Sequence, residues 1–403
     1  KTPTPHPNPP PHGGREQDGD LLAVLKAQGV RSVLVRNTRN ENDAHADFYA
    51  GWDELFDARP DPADRSPTDA LLRTLPAVLD RLAGSADWLL WVETDCLLPP
   101  WDVRQDVFDV YVQDLIEDDE DIPEDEGAVI EDGSEYADDY GPEVETSGWE
   151  HEAPAELEPA EDEEDDTDED EPEPVEPQVE PVPPWTDPPT GWFDKDDLAS
   201  WELLHRSFAA VVTVFDADLG RVFELFRARG LDRSAAWVLT ADRGLPLGEH
   251  GLIGPHRPWL HEELVHVPLI VRLPDAAEAG RRIPALTQPA DLMPTLAAWL
   301  GAEGLTAADG VSLLPLLTGK VESVRPIACS GLVLGETGEW AIRTPEWALL
   351  LPARPHPDDE ERREPMLFEK PDDRWEVNDL RPRNLERAEE LEAVLRQAVE
   401  RVA

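Results

Sequence analysis

Residues 236–274 read AWVLTADRGLPLGEHGLIGPHRPWLHEELVHVPLIVRLP. Ala236 to Thr240 is a short apolar run of strand length, and Val267 to Leu273 is a second one. The first runs straight into Asp242-Arg243-Gly244. In open α/β sheets ligands bind beyond the carboxyl ends of strands, so Asp242 stands where a short carboxylate reaches into a crevice. Gly244 and Gly248 let the chain turn tightly there. His250, His256, Arg257, His261 and His266 follow within a short span. Four histidines and an arginine near a strand-end carboxylate are the ingredients of a metal or anion site. Each histidine taken singly is more often a surface or structural residue.

Outward from this stretch the pattern alternates. Leu203 to Arg229 carries a helical apolar face that stops at Gly230. Further upstream, Leu21, Leu22, Val24 and Leu25 share a helical face before Gly29, and Ser32 to Val35 reads as a short buried strand. Ala70 to Leu82 is again helical, and Trp88 to Val92 is a continuous apolar run, as in a strand covered on both faces. Downstream, Asp291 to Leu300 predicts a helix ended by Gly301. Trp340–Arg343 and Trp347–Leu351 predict a hairpin, and Leu385 to Val402 a polar closing helix. Helices alternating with strands predict an α/β layer architecture.

The 403 residues carry 35 basic and 89 acidic side chains, a formal charge of −54. That balance argues against nucleic acid and anionic membrane as partners, because phosphate binding needs basic clusters. No apolar run reaches the ~20 residues of a membrane-spanning helix. The charge is unevenly placed. Residues 117–190 hold 33 of the acidic residues and 12 prolines, with no Lys or Arg. Such a segment cannot bury enough apolar surface to offset its ordering entropy, so a disordered acidic insert is expected there. It reads as a solvated spacer, with docking of a basic partner as the sharper alternative. Residues 1–18 read as a disordered Pro-rich tail. Cys96 and Cys329 are too few for a disulfide scaffold or a zinc site. The expected organisation is therefore the tail 1–18, an α/β region 19–116, the insert 117–190, an α/β core 191–320 and a C-terminal hairpin-and-helix part 321–403.

The stretches TADRGLPLGEHGLIG, HEELVHVPLIVRLP, DLMPTLAAWLG and DGVSLLPLLTG, in that order, resemble the second half of the sulfatase family, within the alkaline-phosphatase-like superfamily. There a strand leads into Ser-Asp-His-Gly or Ser-Asp-Asn-Gly, then Leu-Gly-Glu/Asp-His-Gly, then Glu-x-x-x-Val-Pro-Leu-Ile. Arg374 to Leu380 is similar to the family's terminal Glu-x-Asn-Asp-Leu signature, and Trp91 to Asp102 to its Pro-His-x-Pro-Trp loop. The resemblance covers most of 19–116 and 191–403. It implies a sulfatase-like sandwich: a central mixed sheet flanked by helices, with a small C-terminal α+β part. It also implies hydrolysis of sulfate esters, with calcium held by several carboxylates and an amide or imidazole, and a formylglycine nucleophile made within Cys/Ser-x-Pro-x-Arg.

Several family positions are altered in this chain. Neither the nucleophile motif nor the Asp-Asp pair that precedes it is present, and the chain as given is expected to begin after that region. Cys96 is followed by Leu97-Leu98-Pro99, and Cys329 by Ser330-Gly331-Leu332. Asp242 matches the first late metal ligand, but Arg243 stands at the second, and a guanidinium offers no lone pair. Leu98 stands at the loop histidine, and Pro255 where a family lysine contacts sulfate, with His256 and Arg257 beside it. The expectation is no catalytic residue, Asp242 as a lone metal ligand without bound calcium, and Arg243, His256 and Arg257 as anion contacts for a sulfated small molecule or glycan. Three readings follow: a chain inactive by itself, a fragment of an active sulfuric-ester hydrolase, or a non-catalytic anion- or partner-binding protein. The resemblance also implies an unpaired strand edge and marginal stability, since the family's first strand lies inside the sheet.

Overall fold

A computed structural model describes residues 21–37, 49–112, 182–254, 258–302, 309–354 and 364–402. The chain divides into a unit of 1–112 with 183–403 and a unit of 113–182. Apart from Val182, the second unit lies outside the described residues.

Helix α1 (Leu21–Ala27) ends at Gly29, whose φ of 79° lets the chain reverse into β1 (Arg31–Asn37). β1 pairs in parallel with β2 (Glu54–Asp57) on one side and β3 (Trp88–Thr94) on the other. Parallel neighbours need a crossover, and α2 (Asp69–Leu82) supplies it between β2 and β3. Its Leu71, Leu75, Val78 and Leu82 pack on Val33, Val35, Phe56 and Ala58. Each fully buried aliphatic side chain of this kind contributes roughly 1.5–3 kcal/mol.

The long helix α3 (Leu198–Arg227) lies against α2. A buried carboxylate fixes the contact: Asp218 accepts from Ser66 Oγ at 2.5 Å and from the Thr68 hydroxyl, and pairs with Arg221 at 2.8 Å. β4 (Gly191–Trp192) pairs with β6 (Leu252–Ile253), and β5 (Trp237–Thr240) pairs antiparallel with β7 (Leu269–Arg272). Helix α4 (Leu292–Trp299) ends at Gly301. β8 (Ala328–Leu334), β9 (Thr337–Arg343), β10 (Trp347–Arg354) and β11 (Met366–Glu369) form an antiparallel sheet in the order β11-β10-β9-β8. That sheet is covered on both faces. Helix α5 (Leu385–Val402) packs Ala388, Leu391 and Leu395 on Ile342, Leu349, Leu351 and Leu367, while Leu260, Leu264 and Val265 cover Ala341, Ala348, Leu350 and Phe368.

Two sequence expectations change here. Trp88–Val92 was expected to be covered on both faces, yet Trp91 and Val92 are 41% and 40% exposed. β3 is an edge of its sheet, and β5 and β7 form a separate pair among the described residues. The far end of the 117–190 stretch, expected as disordered insert, is folded onto the core. Trp185 N–H donates to Ser207 Oγ at 2.8 Å, and the Thr186 carbonyl accepts from Trp101 N–H at 2.6 Å. Tryptophan on both sides of that contact gives it enough apolar area to offset the acidic neighbourhood.

Candidate functional site

The strands that deliver the candidate site end together. Arg36 and Asn37 of β1 are in register with Glu93 and Thr94 of β3. Phe226 of α3 bridges the starts of β3 and β5, with ring centroids 6.5 Å from Trp88 and 4.2 Å from Trp237. At the far ends Glu93 lies within electrostatic reach of Asp95, Asp242 and Arg36. Burial pushes the Glu93 carboxyl above its ordinary range. Arg36 opposes that shift, and the charges of Asp242 and Asp95 add to it. Arg36 is itself held by Asp57 and lies over the Tyr49 ring at 4.3 Å. Asp242 and Arg243 are both exposed. The turn behind them is tight: Gly244 N–H donates to the Leu264 carbonyl at 2.9 Å, and a Cβ at 244 would sit 1.8 Å from the Glu263 carbonyl oxygen. Only glycine fits that approach.

Calcium takes six to eight oxygen ligands. Among the described residues no group of three or more His, Cys, Asp or Glu is arranged to hold an ion. Arg243 beside Asp242 adds a positive charge where a second donor would be needed. Among the described residues Asp242 with Arg243 beside it does not make a donor set for the ion, and no step through a metal follows. His256 and Arg257, expected as anion contacts, and Pro255 lie outside the described residues. Of the four candidate residues the structure places Asp242 and Arg243 alone. Cys96 is buried, and Cys329, whose thiol burial pushes up, lies on β8.

The sequence left the other histidines open between a metal or anion site and a structural role; His250, His261 and His266 each face a carboxylate of one network. His250 Nδ1 lies 2.8 Å from Glu263 Oε1, His261 Nδ1 2.9 Å from Glu376 Oε2, and His266 Nδ1 2.7 Å from Glu262 Oε1. Lys370, 1% exposed, reaches Glu262 at 3.0 Å and Glu376 at 3.1 Å. Glu262, half enclosed by burial that would raise it, is nonetheless pulled down to about 2 by His266 and Lys370. Sequence reasoning missed Glu263, Lys370 and Glu376. The signals were Glu263, the Glu of the Glu-x-x-x-Val-Pro-Leu-Ile stretch, and Glu376 inside the Arg374–Leu380 signature, where it adopts a φ of 58°. A left-handed non-glycine costs of order 1 kcal/mol or more and persists only when its surroundings hold it.

The Asp-Leu-x-Pro-Thr stretch also proves architectural. Asp291, 0% exposed, forms a capping box with Gln288. It accepts from Val311 N–H at 2.9 Å and pairs with Arg325. Thr295 Oγ1 accepts from Leu313 N–H at 2.8 Å, so the two family-like segments are tied to each other.

Strands in layers with helices, Asp242 exposed at a strand end and a small C-terminal sheet make up an α/β fold. A solved phosphonate monoester hydrolase of Agrobacterium radiobacter superposes on 95% of this chain and 80% of its own, with a TM-score of 0.58 at 14% identity, a likeness of fold. Residues 146–302 match the Sulfatase family model. Over 122 residues the chain is 33% identical to an N-acetylglucosamine-6-O-sulfatase of Bacteroides thetaiotaomicron, covering 30% of this chain and 22% of that protein. It is 33% identical over 117 residues to a multifunctional alkaline phosphatase superfamily protein of Trinickia caryophylli, covering 28% of this chain and 22% of that one. Over these residues the chain is similar to the sulfatase family. Its alignment spans about a fifth of the length of these curated relatives.

Proposed function

We propose that this chain, by itself, is a sulfatase-family protein that does not hydrolyse sulfate esters. The observation that supports it is the guanidinium of Arg243 in the residue after Asp242, at the end of β5, where the resemblance calls for a second metal ligand. Metal-assisted transfer needs a Lewis acid and an attacking group. Asp242 is the one late metal ligand retained by resemblance, and neither cysteine stands in the nucleophile motif. Arg243 suits a tetrahedral anion better than a cation. One relative is named as an N-acetylglucosamine-6-O-sulfatase, so a sulfated sugar is the ligand class to try, with Arg243, His256 and Arg257 as its contacts.

The test is turnover of a chromogenic aryl sulfate with calcium, and again with chelator. The expected result is no release above buffer in either case. Hydrolysis that chelation abolishes would overturn the reading and favour a fragment that retains hydrolase chemistry. Titration with a sulfated glycan at low salt tests the ligand class: binding weakened in Arg243→Ala and Arg257→Ala supports it, and no binding rejects it.

A further inference from the structure

His250 stands away from the strand-end candidates, and its surroundings are unusual. Its Nδ1 faces Glu263 Oε1 at 2.8 Å and its Nε2 faces the Glu376 backbone carbonyl at 3.3 Å. Both nitrogens therefore look at acceptors. A neutral imidazole has one N–H and satisfies one of them; the imidazolium has two and satisfies both. Its face stacks on His261, with centroids 3.9 Å apart and planes at 20°. His261 in turn meets the Glu376 carboxylate. We propose that His250 is a proton-operated latch that, when charged, ties the segment behind the strand-end turn to the loop after β11.

The two sides of the latch are separate parts of the fold. Glu263 belongs to the one-turn helix Glu262–Val265, whose carbonyls press on Gly244 beside Asp242 and Arg243. Glu376 belongs to the loop after β11, flanked by Trp375 and Val377, which are 54% and 75% exposed. Among the described residues, the charged groups around His250 fall on these two sides. Glu263 and Glu376 face it directly, and His261 lies on its ring. Lys370, Glu262, His266 and Arg343 stand one contact further out, on the same two carboxylates or beside them. Burial pulls the His250 imidazole down, but Glu263 and the Glu376 carbonyl outweigh it and hold it above its ordinary value. Its contribution is then complete at pH below the ordinary histidine value of ~6.5 and is lost as pH rises through the raised one. Once neutral, the ring must release Glu263 or Glu376. This inference goes beyond the proposed function and stands whether or not the strand-end crevice turns over a substrate.

The test is hydrogen exchange of the full chain between pH 5.5 and 9, corrected for intrinsic rate and read in peptides spanning 372–380. The expected result is protection that falls as His250 loses its proton. In His250→Gln, protection should be lower throughout and independent of pH. His266→Gln, which removes an exposed histidine on Glu262, should keep the wild-type profile. A flat wild-type profile, a wild-type profile in His250→Gln, or its loss in His266→Gln would overturn the latch. If His250→Gln does not fold, ring-nitrogen NMR of the wild type decides. A midpoint above the ordinary value, with both nitrogens protonated below it, supports the latch; a midpoint at or under that value rejects it.

Discussion

At the ends of β3 and β5, Glu93 lies within electrostatic reach of Asp95, Asp242 and Arg36; burial, with the two like charges, pushes its carboxyl up against the pull of Arg36. Beneath the C-terminal sheet, Glu262, Glu263 and Glu376 are enclosed, yet each faces a histidine or Lys370, and Glu262 titrates low. Carboxylates crowded against one another are held by the fold for a ligand or by history; carboxylates matched with cations are held for stability. The family-like residues of this chain fall on both sides of that line. Those at the strand ends keep the family position with an altered neighbour. Those under the C-terminal sheet are each matched with a cation or a histidine.

The sharpest way to break this contrast is Lys370→Met. It would leave Glu262 and Glu376 enclosed without their shared cation, and loss of one partner of a buried pair costs about 3–5 kcal/mol. An unfolding free energy, from urea titration, that falls by less than that would move the C-terminal network into the same class as the strand ends. Next is Gly310→Ala. A Cβ there would sit 2.0 Å from the Ala290 carbonyl oxygen, beside the Asp291 cap. Overpacking against backbone costs about 1–3 kcal/mol, read as a drop in thermal midpoint with no change in fold by circular dichroism.

Acid gives a third measure. The Glu262 pKa is depressed, so its stabilisation is complete above the unfolded value near 4.5 and drains as pH falls towards about 2. Solvent screens part of the pairing, so a loss of order 2 kcal/mol is expected across that window. Glu262→Gln should remove that portion of the acid sensitivity in denaturant titrations from pH 5 to 2. The smallest effect belongs to Asp242→Asn. Stability should move by less than about 0.5 kcal/mol, as for exposed residues generally. The Glu93 carboxyl should titrate lower once Asp242 no longer adds negative charge, a shift that carbon-detected NMR would report. A large stability loss instead would mean that the strand-end carboxylates are structural too.

Much of the architecture was legible in the sequence because it is local. Helical faces, Gly29, Gly230 and Gly301 as stops, and the 337–354 hairpin depend on residues within a few turns of one another. The identity of the strand-end turn was legible for the same reason. The partners of the histidines were not legible because they are remote: Glu376 lies 115 residues beyond His261, and nothing near His261 announces it. Asp291 was readable as part of a signature, while its work as a cap joined to Arg325 and Val311 depends on segments 20 and 34 residues away. Trp91 and Val92 were read as covered because an apolar run says what a strand can tolerate, and only the neighbouring strands decide what it gets.

The contact between Gly244 and the Glu263 carbonyl has a consequence for how this chain can be altered. The strand-end turn has no room of its own; its second wall is the backbone of another segment, 1.8 Å from where any side chain at 244 would begin. A redesign that exchanges Arg243 for a donor can keep that wall. One that places a side chain at 244 must relocate 261–266 as well, and with it the lining of the C-terminal sheet. Substitution at one position is thus coupled to the course of the chain at another, and the two will be inherited, or engineered, together.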